Sequence, residues 1–105
     1  MILVTGSAGY LGSHICKKLL EKKIPFYSID NLSCGKIENV LKKDFFKKID
    51  YSSKQIKNFL ITKKITTIIH AGAFTFPNES EKNKKKYYTN NIDKTLKFIK
   101  YCSKA

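Results

Sequence analysis

The sequence predicts an α/β fold, in which helices cover a doubly wound parallel sheet of about four strands. Two observations indicate this class. Short apolar runs rich in β-branched residues alternate with amphipathic stretches, as they do where helices connect parallel strands by right-handed crossovers. The 105 residues are 42% hydrophobic and 12% aromatic, which supplies one small core. We therefore expect an incomplete sheet that forms one domain or part of one.

A glycine-rich turn separates the first strand from the first helix. Residues 2–5 form a short apolar run closed by Gly6, as expected for a buried parallel strand. After the turn, apolar residues recur at helical spacing with charged residues between them, so a helix is predicted over residues 10–23. Pro25 ends that helix, because proline cannot continue the hydrogen-bond pattern.

The middle of the chain holds two further strand patterns. Residues 26–29 predict a second strand that stops at Asp30, and residues 31–35 are typical of a turn. Residues 36–43 fit either a loop or a short helix, and residues 45–49 predict a third strand.

A helix, a strand and a last helix complete the pattern. Ser52 or Ser53 is expected to cap a helix, and residues 65–69 predict the clearest strand of the chain. The capped helix should bury one face that carries Ile56, Phe59 and Leu60. Residues 84–104 predict an amphipathic helix. Its expected apolar stripe consists of Tyr88, Ile92, Leu96, Ile99 and Cys102.

The strong positive charge does not predict a nucleic-acid partner. The chain has 21 basic residues against 8 acidic ones and a formal net charge of +13, a balance that can indicate nucleic-acid binding. All the basic residues are lysines, scattered mostly in pairs, whereas bases and phosphates are usually bound by bidentate arginine. We expect no nucleic-acid partner and interpret the densest run, residues 82–86, as a solvated surface.

The cysteines and histidines predict neither disulfides nor a metal site. Cys16, Cys34 and Cys102 are odd in number and widely spaced, which fits neither a disulfide framework nor structural zinc. His14 and His70 have no Cys, Asp or Glu partner at ligand spacing. No apolar run approaches the roughly 20 residues of a membrane helix. We therefore expect a cytoplasmic protein without a membrane partner.

Three glycines mark a candidate phosphate-binding turn. Gly6, Gly9 and Gly12 lie at G-x-x-G-x-x-G spacing between the first strand and the first helix. Glycines let a phosphate approach backbone N–H groups at a helix N-terminus, although a tight turn also favours glycine without a ligand. Asp30, at the end of the next strand, adds a carboxylate for the adenosine ribose. The combination predicts a Rossmann-like dinucleotide site that takes NAD rather than NADP.

Four motifs, in order, carry a resemblance to a known family. Two are Ile-Leu-Val-Thr-Gly-Ser-Ala-Gly-Tyr-Leu-Gly-Ser-His at residues 2–14 and Asp-Asn-Leu-Ser at residues 30–33. The others are Ile-His-Ala-Gly-Ala-Phe at residues 69–74, continued by Glu-Ser at residues 79–80, and Tyr-Tyr-Thr-Asn-Asn-Ile at residues 87–92. Together they resemble the N-terminal portion of the UDP-glucose 4-epimerases, extended short-chain dehydrogenases/reductases of the NAD-dependent epimerase/dehydratase family.

The resemblance implies an activity and a cofactor. NAD would stay tightly bound, take hydride from C4 of a UDP-sugar and return it to the other face of a 4-keto intermediate, interconverting UDP-glucose and UDP-galactose. Tyr10 and Leu11 would lie over the pyrophosphate, residues 30–35 would hold the adenosine ribose, and Asp50 with Tyr51 would meet the adenine.

The resemblance also implies which residues reach the nicotinamide end. Residues 71–75 would line the path toward it, and Asn90 would contact it from the last helix. The full predicted cofactor-binding set is Gly6, Gly9, Tyr10, Leu11, Gly12, Asp30, Asn31, Leu32, Ser33, Cys34, Gly35, Asp50, Tyr51, Ala71, Gly72, Ala73, Phe74, Thr75 and Asn90.

The sequence departs from the family pattern at four positions. Ser7 stands where a second glycine is usual, Thr75 replaces a common lysine, and Pro77 replaces a valine. Lys94 replaces the usual glycine near the start of the last helix. These changes bear on the positioning of the cofactor.

No catalytic residue is predicted in this chain. The family's hydride transfer needs a Tyr-x-x-x-Lys pair with the tyrosine as general base, and none of the 6 tyrosines is followed four residues later by lysine. The first interpretation is the NAD-binding portion of an epimerase, inactive alone and binding a UDP-sugar only with a C-terminal part. The alternatives are a non-catalytic NAD-binding module, a degraded remnant, or another NAD-dependent sugar-nucleotide epimerase/dehydratase.

The edge of the predicted sheet bears on assembly. A parallel sheet that stops after its fourth strand leaves an apolar edge that further strands would cover. We therefore expect the isolated chain to be marginally stable or to self-associate, for instance as a homodimer.

Overall fold

The computed structural model describes residues 1–33, 35–41, 43–72 and 93–105. Within these ranges, the strands are β1 (Ile2–Thr5), β2 (Phe26–Ile29), β3 (Phe46–Lys47) and β4 (Thr67–His70). The helices are α1 (Tyr10–Glu21), α2 (Gln55–Thr62) and α3 (Lys94–Lys104), with short 3-10 turns at Ile37–Asn39 and Lys43–Phe45. None of the described helices is long and apolar enough to cross a bilayer.

The four strands form one parallel sheet in the order β3-β2-β1-β4. Ile2 of β1 is paired with Phe26 of β2 on one side and with Thr67 of β4 on the other. The chain moves outward from β1 to β3 and then returns to place β4 on the other side of β1. The predicted α/β class, a Rossmann-like doubly wound parallel sheet, is confirmed.

Two apolar clusters cover the two faces of the sheet. Helix α1 packs Cys16 and Leu19 against Val4 and Phe26 on one face. Helices α2 and α3 cover the other face, where the buried cluster consists of Leu3, Ile29, Ile49, Tyr51, Ile56, Phe59, Leu60 and Phe98. Leu3 and Val4 are both fully buried, so β1 is enclosed from both sides, as its unbroken apolar run predicts.

The two described cysteines are free thiols inside or beside these clusters. Cys16 is buried and Cys102 is half-buried. Burial raises the pKa of Cys16 to about 11 and raises the pKa of Cys102. Both thiols therefore stay protonated at neutral pH, and Cys16 acts as a small apolar core residue.

Helices α1 and α2 end in the same way. Each runs into a Lys-Lys-Ile sequence whose second lysine, Lys23 or Lys64, has a left-handed φ of 57° or 54°. In both, this lysine N–H donates to the carbonyl three residues back, and the next isoleucine N–H donates to the carbonyl five residues back, at 2.9 to 3.1 Å. These are Schellman ends, in which the left-handed position is usually glycine.

Two strands begin or end at residues other than those predicted. The structure also shows which of two candidate serines bonds to the start of α2. β3 is shorter than the predicted residues 45–49, because Ile49 leaves the ladder and is buried in the core. β4 begins two residues later than the predicted residues 65–69, because the Ile65 N–H closes the end of α2. Of the two serines expected to cap α2, Ser53 accepts the first helical N–H, at 3.2 Å.

Of the described members of the predicted stripe, Cys102 alone lies on the buried face of α3. Leu96 and Ile99 are 60% and 57% exposed, whereas Phe98 is 3% exposed. Tyr101 and Cys102 pack beside Phe98 against the core. The prediction that Leu96 and Ile99 are core residues is wrong, because the helix carries two apolar stripes and the sheet contacts the one with the larger aromatic side chains. The other expected members, Tyr88 and Ile92, lie outside the described residues.

Candidate functional site

The carboxyl ends of β1 and β4 meet where the strand order reverses. Thr5 ends β1 and His70 ends β4, and the two residues are paired in the sheet. The Ala71 N–H donates to the Thr5 carbonyl at 3.2 Å, which brings the chain after β4 against the glycine turn. Doubly wound sheets bind their ligands in the crevice at this point, so these residues form the candidate site.

The three glycines of the turn are needed for different reasons. Gly6 has a φ of 70°, and a side chain there would overlap the carbonyl of Ala71. A side chain at Gly12 would overlap the carbonyl of Gly6. Gly9 has an ordinary φ of −86°, and an added Cβ would meet only the Gly6 carbonyl among the described atoms, at 3.4 Å. The fold therefore requires Gly6 and Gly12, while the described residues leave the space beside Gly9 open.

Helix α1 begins directly after Gly9, which has no side chain with which to cap it. Its first-turn N–H groups carry the partial positive charge of a helix N-terminus. Tyr10 and Leu11 on this turn are 80% and 59% exposed. Ser7 is buried, with its N–H and its hydroxyl each 3.3 Å from the Ile29 carbonyl. Replacing the usual glycine by Ser7 thus leaves the open side of the turn unobstructed.

Asp30 holds the glycine turn and still has room for a ligand. Its Oδ2 accepts the Ala8 N–H at 3.0 Å, and its Oδ1 accepts the Leu32 N–H at 2.7 Å. A carboxylate accepts about four hydrogen bonds, so within the described ranges Asp30 retains acceptor positions for ribose hydroxyls. Leu32 has a φ of 62°, and its hydrogen bond to Asp30 stabilises this uncommon conformation.

The segment after β2 closes around Ala8. Gly35 lies directly against the Ala8 backbone. The Ala8 carbonyl accepts hydrogen bonds from the Lys36 N–H and the Asn39 side chain, both at 3.1 Å. The predicted ribose-binding segment is therefore fixed to the glycine turn through both polar groups of Ala8.

Asp50, which follows β3, accepts four hydrogen bonds from described residues. Its Oδ1 accepts the Ser52 N–H at 2.8 Å and the Ser52 hydroxyl at 2.6 Å. Its Oδ2 accepts Asn31 Nδ2 at 3.1 Å and Lys94 Nζ at 2.9 Å. Burial by itself would raise the pKa of Asp50, but the donors outweigh it, Ser52 foremost, and hold the pKa well below its ordinary value. The ionised carboxylate thus joins the ends of β2 and β3 to α3.

A second polar network joins the ends of β1 and β4 to α3. Thr5 Oγ1 accepts the N–H groups of Ala71 and Gly72, at 3.0 and 3.2 Å, and lies 2.6 Å from His70 Nδ1. Because two donors already occupy the Thr5 oxygen, its hydroxyl donates to Nδ1, and the ring proton of His70 belongs on Nε2. That nitrogen lies 3.2 Å from the Thr95 hydroxyl. Burial lowers the pKa of His70, so the ring is neutral at pH 7.

Tyr51 lies beneath this network. Tyr51 is 6% exposed, and its ring packs edge-on against His70, with ring centroids 4.6 Å apart, and at a tilt against Phe98, at 5.5 Å. Its hydroxyl is hydrogen bonded to Thr95, and burial raises the pKa of Tyr51. The ring supports the floor of the site, so the expected contact of Tyr51 with adenine would use its backbone.

The described part of the predicted cofactor-binding set lies at this edge of the sheet. Its members are Gly6, Gly9, Tyr10, Leu11, Gly12, Asp30, Asn31, Leu32, Ser33, Gly35, Asp50, Tyr51, Ala71 and Gly72. The predicted residues Cys34, Ala73, Phe74, Thr75 and Asn90 fall outside the described ranges. Four further polar residues at the site were not predicted, since no sequence spacing marks such short polar side chains: Thr5, Asn39, Ser52 and Thr95. Lys94 was marked only as a departure from the family pattern.

A doubly wound sheet with an open glycine turn and an acidic residue after the second strand defines the Rossmann-like class of nucleotide-binding folds. The NAD dependent epimerase/dehydratase family model matches residues 2–105. The chain belongs to this family.

Individual relatives agree with the family assignment. The bifunctional protein GAL10 of Candida maltosa is 32% identical over 111 residues, covering 97% of this chain and 72% of that protein. The UDP-glucose 4-epimerase uge1 of Schizosaccharomyces pombe is 33% identical over 111 residues, covering 98% of this chain and 31% of that protein. The crystal structure of Thermus thermophilus UDP-glucose 4-epimerase in complex with NAD matches with a TM-score of 0.86 at 30% identity, covering 96% of this chain and 33% of that one. The chain thus spans about a third of the length of the last two proteins.

Proposed function

We propose that this chain binds NAD and is the N-terminal, cofactor-binding portion of a cytoplasmic UDP-glucose 4-epimerase. The whole enzyme would interconvert UDP-glucose and UDP-galactose through a 4-keto intermediate. Gly9 carries the proposal, because the fold does not require glycine there and the open position adjoins an uncapped helix N-terminus. Membership of an NAD-dependent family supports NAD as the group that approaches it, and the names of the relatives support the sugar nucleotide.

The residues at the site fit the parts of a dinucleotide. Gly9 and the first-turn N–H groups of α1, beside Tyr10 and Leu11, would hold the pyrophosphate. Asp30 would accept hydrogen bonds from the ribose hydroxyls, and its negative charge disfavours a 2′-phosphate. Ala71 begins the segment that would lead toward the nicotinamide. When bound, NAD would supply the hydride acceptor for oxidation at C4 of the sugar.

We further propose that this chain does not epimerise sugars by itself. The sequence has no Tyr-x-x-x-Lys pair to act as general base, and the UDP-sugar would bind only together with a C-terminal part. The missing pair also favours a second candidate, a non-catalytic NAD-binding module. Loss of NAD binding would instead favour a degraded remnant.

Titration calorimetry with NAD tests the proposal. We expect saturable binding by the unchanged protein, and binding weaker by about tenfold or more for Gly9→Val, because the added side chain fills the position the pyrophosphate needs. A Cβ at Gly9 makes an ordinary contact with the Gly6 carbonyl at 3.4 Å, so the Gly9→Val protein should still fold. Its melting temperature without NAD, compared with that of the unchanged protein, separates a loss of binding from a loss of structure.

The control variant is Lys17→Ala, which changes an exposed residue of the same helix and should keep the affinity. NADP should bind more weakly than NAD. If the unchanged protein does not bind NAD, or if Gly9→Val binds it equally well, the proposal is wrong.

A further inference from the structure

The carboxylate of Asp50 belongs to the predicted cofactor-binding set, yet its hydrogen-bonding capacity is already used. A carboxylate offers about four lone-pair positions. Ser52 donates to Oδ1 twice, and Asn31 and Lys94 donate to Oδ2 at 3.1 and 2.9 Å. A further donor, such as the amino group of a base, would have to displace one of these four.

The other carboxylate at this edge is in a different state. Asp30 accepts one backbone N–H on each oxygen, from Ala8 and Leu32, so the described residues leave it with acceptor capacity. The ribose side of the site therefore keeps an acceptor for a ligand. The carboxylate of Asp50 does not.

Lys94 is the donor that comes from a distant element. Ser52 lies two residues from Asp50, and Asn31 is oriented by the Ser33 N–H, which donates to its Oδ1 at 2.9 Å. Lys94 is instead the first residue of α3. The Lys94 and Asp50 side chains are only 32% and 27% exposed, so water competes weakly for this ion pair.

We infer that Lys94 makes the nucleotide site insensitive to the exocyclic amino group of the purine, because Lys94 occupies the acceptor position on Asp50 that this group would use. The inference rests on the proposed binding of NAD. Lys94 is thus a specificity-determining residue that acts through Asp50. The site should accept dinucleotides whose purine carries a 6-amino group and those whose purine does not.

Two ligands separate the amino group from the rest of the base. NAD carries adenine, and the analogue with unsubstituted purine lacks the amino group but keeps the ring nitrogens as acceptors. We expect the unchanged protein to bind the two with dissociation constants within about threefold of each other, because no hydrogen bond to the amino group is lost. In Lys94→Met an acceptor position on Asp50 is freed, and the preference for NAD should rise by about tenfold.

Lys97→Met is the matched control. Lys97 is an exposed lysine of the same helix, so the variant loses the same charge and should keep the ratio of the unchanged protein. A preference for NAD of about tenfold or more in the unchanged protein, or an unchanged ratio in Lys94→Met, overturns the inference and leaves NAD binding intact. Failure to bind either dinucleotide overturns the proposed function and this inference together. The ratio in the unchanged protein decides the matter even where Lys94→Met does not fold.

Discussion

At the scale of single residues, the hydrogen bonds that each polar atom already makes determine its protonation state. Thr5 Oγ1 accepts the N–H groups of Ala71 and Gly72 and donates to Nδ1 of His70. A protonated His70 would place a hydrogen on Nδ1, facing a hydroxyl that has no acceptor position left. Protonation would therefore disturb the contact that holds the chain after β4 against the glycine turn.

The stability of the protein should depend on His70 in mildly acidic solution. Burial lowers the pKa of the folded His70, whereas the unfolded ring titrates near its ordinary value of about 6.5. The unfolded state therefore binds the proton first, so stability is complete above about pH 6.5 and falls as the pH drops toward the folded pKa. Part of His70 is open to solvent, which limits the size of the loss. Neighbouring Tyr51 stays protonated throughout, since burial raises its pKa.

Urea unfolding between pH 7.5 and 5.5 checks this prediction. We expect His70→Asn to flatten the pH dependence, because the asparagine oxygen can accept the Thr5 hydrogen bond without titrating. His14→Asn, which changes the other histidine, should keep the slope of the unchanged protein. If His14→Asn flattens the pH dependence of stability and His70→Asn does not, the role given to His70 is wrong.

The residues found from sequence and the residues missed differ in the range of their contacts. Gly6, Gly12 and Asp30 could be predicted, because a strand, a turn and a helix that follow one another constrain them locally. The pairing of Thr5 with His70 spans 65 residues, and no spacing rule marks it. No function was therefore predicted for His70, although its hydrogen bonds hold the edge of the site together.

At the scale of elements, two helices end in an unfavourable residue. Lys23 and Lys64 occupy the left-handed position of Schellman ends, with φ of 57° and 54°. A side chain in this region costs on the order of 1 kcal/mol that glycine does not lose. The Lys-Lys-Ile sequence therefore ends the helix through the hydrogen bonds of its backbone, while the second lysine adds strain.

Replacing either lysine by glycine should stabilise the protein. We expect Lys23→Gly and Lys64→Gly each to raise the free energy of unfolding by about 0.5 to 1 kcal/mol. Lys22→Gly is the contrasting control, since Lys22 has a right-handed φ of −86°, where glycine only adds freedom to the unfolded chain. Chemical unfolding of the three variants measures the difference. Equal destabilisation by all three would show that the left-handed lysines cause no strain.

For helix α3, the apolar periodicity of the sequence predicts a helix but does not predict which of its faces is buried. Its type was predictable from apolar spacing, but two stripes compete on the same helix. Phe98 is buried beside Tyr51, and Thr95 is hydrogen bonded to His70, so contacts with the sheet edge select the face. Leu96 and Ile99 are left on the outside.

At the scale of the whole molecule, the doubly wound class of the sheet could be predicted and the state of its edge could not. Alternating strands and helices, with right-handed crossovers, restrict the chain to a doubly wound sheet, and the observed order β3-β2-β1-β4 agrees. The extent to which β4 is covered depends on partners that periodicity does not reveal. Within the described ranges, no strand pairs with the outer side of β4.

An edge that no described strand covers and the net charge make opposite contributions to self-association. Ile68 and Ile69 of β4 are only half-buried, and an open apolar edge favours pairing with another chain. The net charge of +13 opposes that pairing at low ionic strength. Salt screens the repulsion, with a Debye length that falls from about 10 Å at 0.1 M to about 3 Å at 1 M.

Association should therefore increase with both protein concentration and salt. Sedimentation equilibrium at increasing ionic strength measures it, and the melting temperature should rise with concentration where dimers form. Thr67→Lys places a charge on an exposed position of β4 and should weaken association, because a lysine on an edge strand hinders pairing. Thr62→Lys adds the same charge at an exposed position of α2 and should have little effect. A monomer at every concentration and salt, with a sharp melt independent of concentration, would mean that the edge of β4 is protected within one chain.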